Sequence, residues 1–334
     1  MARAGVGLGL LGPLVSAGDS WQLARGSRRA WPRRRVSGPP FQVLLYHRVN
    51  DERQVVFPGV PTETFGAQMK LLAAHWNVLP LHSLLEAARR GDTPKRAAAI
   101  TFDDGYRDNY DCALPVLRRL GLPATIFLAT SPLESGELLW HDRVFDAFES
   151  ARDPVPFHGA VLPVASTAQR RQSVLTVLDH LRTLTPENRD REITSLVSGM
   201  GLPSATPSRR MMTWEEARSM QDAGIEFGAH TVSHPILSRM PHEDAVDEIR
   251  RSKETIEARL ARPVKLFAFP NGRRHDYTPA LLDALPRMGF TGALTTEWGL
   301  NDRSTPPFEW RRVGAWGNDP ALSAARLAWQ RIAE

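Results

Sequence analysis

From residue 41 onward, short β-prone apolar runs alternate with stretches whose apolar positions recur at helical spacing, the pattern of a parallel sheet wrapped by helices. The expected strands are 42–46 (QVLLY), 97–102 (AAAITF), 124–129 (ATIFLA), 225–229 (IEFGA), 264–269 (VKLFAF) and 291–295 (TGALT), each ending where a polar or ionisable residue appears. Between them Phe65, Met69, Leu72 and Trp76 mark one stripe of a helix, and Val246, Ile249, Ile256 and Leu260 mark another. Thr213 with Glu216 reads as a capping box that starts a helix. Thr278 with Pro279 starts a further helix, which Gly289 stops. Residues 131–210 break the alternation with weak periodicity and scattered prolines, and are read as an insertion at the rim. Its first part, LLWHDRVFDAFES, is aromatic enough to border a groove, and its middle, around 168–198, reads as a short helical pair.

Composition adds little except at the N-terminus. The chain has 334 residues, 42% hydrophobic and 24% charged, which predicts one large globular body with appendages. The net charge of +5 is concentrated in residues 1–40, where seven arginines meet one acid, Asp19, leaving the rest of the chain near neutrality. That tail is expected to be poorly ordered and solvated, with room for weak contact with anionic lipid. The body, 41–334, has no basic bias, so no nucleic-acid partner is expected. Val6 to Val15 is an apolar stretch too short to span a bilayer but long enough for a signal-peptide core, with Val15-Ser16-Ala17 as a tolerable cleavage site. Pro13 and the dense arginines that follow argue against export, and the compartment stays open. The single cysteine, Cys112, excludes an intramolecular disulfide; with no general base at motif spacing it is read as a half-buried helix residue.

The candidate chemistry lies at strand ends. AAAITFDDGYRDN places Asp103 and Asp104 directly after a strand, at the C-terminal rim where α/β folds deliver reactive side chains. Successive residues leaving a strand point to opposite sides, so one aspartate can meet a metal while the other faces water; an exposed turn is the competing explanation of Asp-Asp-Gly alone. His230 ends another strand and His234 follows four residues later, a spacing that brings two imidazoles to one point. Two imidazoles and one carboxylate leave coordination positions open, the pattern of a catalytic centre; zinc suits these ligands best, and nickel, cobalt or iron also fit.

These residues resemble the polysaccharide deacetylases, the fourth carbohydrate esterase family with its NodB homology domain, over about residues 41–317. TFDDGY resembles the first family motif, which implies Asp103 as general base and Asp104 as metal ligand. HTVSHP resembles the second, which implies His230 and His234 as the other ligands. FAFPNG at 267–272 resembles the groove-lining third motif, with Pro270 and Gly272 as substrate-side candidates, but lacks the arginine near its start that orients the catalytic aspartate. Arg311 or Arg312 in EWRRVGAW either substitutes for it or forms a surface ion pair, and Arg312 is also counted on the substrate side. The family's C-terminal histidine, the general acid, is absent. LLYHRV resembles the YH motif of a branch acting on exported poly-N-acetylglucosamine, which implies His47 as the acid; His141 and His275 are the other candidates. Trp140, Trp298 and Trp316 are candidates for stacking on sugar rings.

The resemblance implies a distorted (β/α) barrel of about seven parallel strands with a helical insertion. It also implies a divalent-metal hydrolase that removes acetyl groups from an N-acetylated sugar or polysaccharide by metal-activated water and an Asp general base. A carbohydrate-binding pseudoenzyme of the same fold is the alternative, motivated by the missing arginine and histidine.

Overall fold

The computed structural model describes residues 38–201 and 209–314, so the arginine-rich tail, the signal-like segment and Trp316 lie outside the described residues. The strands, in chain order, are β1 (Phe41–Tyr46), β2 (Asn77–Val78), β3 (Ala97–Phe102), β4 (Thr125–Leu128), β5 (Val155–Phe157), β6 (Ala160–Leu162), β7 (Glu226–Ala229), β8 (Leu266–Ala268), β9 (Gly292–Trp298) and β10 (Trp310–Gly314). Seven of them form a closed parallel barrel in the order β1-β10-β9-β8-β7-β4-β3, and β3 pairs back onto β1. The closing pair runs in register from Phe41↔Ala97 to Tyr46↔Phe102. The expected strands all form, and β10 supplies the seventh. β2 adds to the outer edge of β3, while β5 and β6 make a separate antiparallel hairpin.

Side-chain parity divides the core. Phe41, Val43, Ala97, Ala99, Phe127, Leu266, Ala268, Leu294 and Trp310 form one apolar cluster. Strands that are not neighbours contribute to it, so it fills the barrel lumen, where three alanines suit a narrow interior. Leu81, Leu84, Leu85 and Ala88 of the helix Leu81–Arg90 join the same cluster and close the N-terminal mouth. Residues of opposite parity, such as Leu44, Ala98 and Ile100, face outward into a larger cluster shared with the surrounding helices. With one mouth plugged, polar chemistry is confined to the other, at the C-terminal strand ends.

The helices carry the expected signals. Thr62–His75 buries Phe65, Met69 and Leu72. Thr213 and Glu216 make a reciprocal capping box before Trp214–Asp222. Thr278 is the N-cap of Pro279–Arg287. Within residues 131–201 lie the helix Trp140–Ser150, the β5–β6 hairpin, and the helix pair Thr167–Leu181 and Pro186–Gly199. Cys112 is half-buried in a π-helical turn, Asn109–Ala113. Among the described residues, no helix is long and apolar enough to cross a membrane.

Candidate active site

Parity along β3 sets the first carboxylate. Ala97 and Ala99 face the lumen, so Asp103, six residues on from Ala97, leaves the strand on the lumen side. Arg312 stands two residues beyond the lumen residue Trp310 on β10, and its long side chain reaches along the lumen to Asp103. Its Nη1 and Nη2 donate to Asp103 Oδ1 and Oδ2, each at 2.7 Å, and its Nε donates to Thr295 O at 2.8 Å. Neither side chain is more than 2% exposed. Burial pushes the Asp103 carboxyl up, but the Arg312 guanidinium, helped by His230 and His47, outweighs it and holds the carboxyl below its usual range.

Asp104 does not point away from Asp103, as strand alternation predicts, because its φ of 75° folds the chain back so that both carboxylates line one cleft. Gly105 follows at φ 87°, and a Cβ there would meet Leu128 Cδ2 at 2.8 Å, so glycine is required. Four of the non-glycine residues with positive φ, Asp104, Thr231, His234 and Asn271, belong to this rim. For β-branched Thr231 this is a costly conformation of the kind that clusters at functional sites. The 231–234 turn is held from two sides. Val232 N and Ser233 N donate to Glu248 Oε2 at 2.8 and 2.9 Å, and Trp140 Nε1 donates to His234 O at 2.9 Å.

Asp104, His230 and His234 offer ligand atoms that all lie within 4.8 Å of one another. The Nε2 atoms of His230 and His234 lie 3.5 and 3.4 Å from Asp104 Oδ1. His230 Nδ1 donates to Ala268 O at 2.7 Å, which turns the Nε2 lone pair toward the cleft. Burial lowers the pKa of both imidazoles, to about 4 for His230 and well below the usual range for His234, so both stay neutral and ligand-competent. The donor set therefore fits a divalent cation.

The cleft is tight, about 40 Å³. That is room for a few water-sized groups rather than a sugar ring. His47, directly after β1, lines it together with Phe57, Phe145, Leu178, Arg182, Asn271 and Thr296. His141 also lines it, with its ring 4.9 Å from that of His234 and its Nε2 3.2 Å from the Tyr106 hydroxyl. That hydroxyl donates to buried Asp142 at 3.1 Å. Burial pushes Asp142 up to about 6 against the pull of Arg210 and Arg48.

Residues 90–293 match the polysaccharide deacetylase family. This chain belongs to that family. Membership places it among the hydrolases that deacetylate N-acetylated polysaccharide by cleaving carbon–nitrogen bonds. The Bacillus subtilis protein YxkH, which carries the same family name, is 22% identical over 273 residues, 81% of this chain and 70% of its own. A poly-β-1,6-N-acetyl-D-glucosamine N-deacetylase of Staphylococcus epidermidis is 34% identical over 106 residues, 28% of this chain and 37% of its own length. The deacetylase PplD of Streptococcus pyogenes, solved with acetate, superposes with a TM-score of 0.61 at 18% identity, covering 87% of this chain and 99% of that one. IcaB from Ammonifex degensii gives 0.57 at 18% identity, covering 88% and 98%. These last two establish the fold.

The sequence-derived candidates separate cleanly on this frame. Asp103, Asp104, His230, His234, His47 and Trp140 line the cleft, whereas Pro270, Gly272, Trp298 and Arg312 are not among its lining residues. Arg312 is no substrate contact, because its guanidinium is committed to Asp103 and Thr295. Gly272 packs against Thr296 N, where a Cβ would approach to 2.8 Å, so it shapes the turn that presents Asn271. Trp298 ends β9 and packs on the core. Trp140 is 5% exposed and lies under the Arg189 guanidinium, 4.5 Å from its ring, so it braces the His234 turn rather than offering an open face. His275, with 67% of its side chain exposed, is outside the cleft. Asn271, Thr296, Arg182 and Glu248 were not singled out from sequence; only Asn271, inside the third motif, had a local signal.

Proposed function

We propose that this protein hydrolyses acetamide groups of an N-acetylated sugar polymer with Asp104, His230 and His234 holding one divalent cation, Asp103 as general base and His47 as general acid. The observation that carries the proposal is the convergence of all five on one narrow cleft at the barrel mouth. A bound cation supplies Lewis acidity for the acyl carbonyl and for a water. Zinc fits two imidazoles and a carboxylate best, and nickel, cobalt or iron fit as well.

Asp103 stays ionised because Arg312 opposes its burial, and is thus ready to accept a proton from water. His47, which lines the same cleft, protonates the departing amine. Phe57, Phe145 and Leu178 offer an apolar wall for the acetyl methyl. The cleft's size supports entry of the acetamide alone, with the sugar ring resting on the rim. Arg312 takes the orienting role for which the third motif lacks an arginine, which removes one ground for a pseudoenzyme. Poly-β-1,6-N-acetyl-D-glucosamine is the first substrate to test, since the staphylococcal relatives are named for it.

Acetate release from that polymer and from a panel of other N-acetylated glycans tests the proposal. Release should stop on chelation and return on adding a divalent metal. Equal release by metal-stripped protein would remove the cation from the reading, and no release by metal-loaded protein from any glycan would remove the activity.

A further inference from the structure

A second group of metal-competent side chains lies in the insertion, away from the barrel mouth. His158 and Gly159 form the two-residue turn between β5 and β6, with Phe157 paired to Ala160 and positive φ at both turn residues, 48° and 76°. His180 lies in the last turn of Thr167–Leu181, and Glu192 lies in the following helix, Pro186–Gly199. Three separate segments thus bring two imidazoles and one carboxylate together, and their ligand atoms all lie within 4.8 Å of one another.

Both Nε2 atoms are directed at the same oxygen, Glu192 Oε1. His158 reaches it in a short contact, and His180 Nε2 lies 3.0 Å from it. His180 Nε2 is itself buried, so it is turned to this oxygen rather than to solvent. The imidazole rings are 4.4 Å apart, centroid to centroid. Tetrahedral coordination with metal–ligand bonds of about 2.0–2.1 Å separates neighbouring ligand atoms by about 3.3 Å. The His180–Glu192 spacing is close to that. An open groove lined by Phe157, Asn188, Arg191 and Ser195 runs past His158 and Glu192 and gives an ion a path in from solvent.

We propose that His158, His180 and Glu192 form a second divalent-cation site, suited to zinc, with water completing the coordination. The ion clips the hairpin tip to both helices of the pair. The helix that carries His180 also carries Leu178 and leads into Arg182, which both line the catalytic cleft, so the clip fixes one wall of that cleft. The site is independent of the catalytic assignment, and the two can be tested apart.

The full-length protein is stripped with chelator, equilibrated with zinc buffered in the low micromolar range, and assayed for zinc per chain and for unfolding temperature. The His234→Ala protein should still hold one zinc, which raises its unfolding temperature. Adding His180→Ala, or the near-isosteric Glu192→Gln, should abolish both the ion and the thermal shift. The clip is overturned if His234→Ala protein holds no zinc under these conditions, or if His180→Ala and Glu192→Gln in that background leave count and shift unchanged. Zinc lost on His180→Ala but unaffected by His234→Ala would support the clip while refuting the catalytic ligand assignment.

Discussion

Removing the Arg312 guanidinium should affect stability and the pH dependence of the reaction together, because its one strong partner is Asp103. The pair is bidentate, with both N–O distances 2.7 Å, and both side chains are shut off from solvent. Truncation to alanine leaves a buried carboxylate with its compensating charge gone, a change that typically costs about 3–5 kcal/mol. The sign of the pH dependence follows from the direction of the Asp103 shift. In the native protein the carboxyl is held below its ordinary value. Its contribution to stability is thus complete above the unfolded pKa of about 4 and is lost as pH falls through the lower folded value. In Arg312→Ala burial is opposed only by the weaker pull of His230 and His47 and drives the carboxyl up, so the destabilisation grows as pH rises from about 4 and shrinks toward acid. Urea unfolding at neutral and mildly acidic pH measures this. The acid limb of kcat/KM should move to higher pH in step, since protonated Asp103 cannot accept a proton. Arg312→Lys keeps the charge without the fork and should fall between. Arg312→Met combined with Asp103→Asn should recover much of the lost stability, but not the activity. A loss under about 1 kcal/mol that is the same at both pH values, with an unmoved acid limb, would refute the reasoning.

Three further outcomes are expected. Asp103→Asn should keep its bound metal and lose roughly a hundredfold or more in rate, whereas Asp104→Asn should lose metal on elemental analysis; reversed behaviour would exchange their roles. His47→Ala should keep metal and lose amide hydrolysis while sparing an acetate ester with a good leaving group, which needs less protonation; the same selective loss in His141→Ala, but not in His47→Ala, would transfer the acid role to His141. Burial of Asp142, with a carboxyl near 6 against an ordinary 3.8, means folding favours its protonated form, so the native protein loses up to about 3 kcal/mol from this group as pH rises from about 4 to about 6. Asp142→Asn should remove that loss, and parallel unfolding-temperature curves for the two proteins across this window would contradict it.

Local contacts along the chain and long-range packing set different parts of this protein. The strands, the capping box at Thr213 and the Asp-Asp-Gly and His-x3-His motifs were legible because each rests on contacts between residues a few positions apart: alternation, helical spacing, a cap, one turn of chain. His47, Asp103 and His230 could be placed on one rim because all three directly follow apolar strands, and parallel strands deliver their C-terminal ends to the same side. Closure of the barrel supplied the rest. Arg312 lies 209 positions from Asp103, and only the pairing of β10 with β1 brings it there; in sequence it could not be told from Arg311, whereas lumen parity decides between them at once. Gly272 by its motif and Trp298 by its aromatic ring looked like groove residues, yet packing assigns them to a turn and to the core. His141 and the His158–His180–Glu192 group sit on an insertion without strong periodicity, so no local rule fixes their direction. The motifs determined which groups the protein carries for its chemistry. Which of them meet, and which are occupied with holding the others, was decided by long-range packing, because a side chain's partner is set by the closed sheet and not by its sequence neighbours.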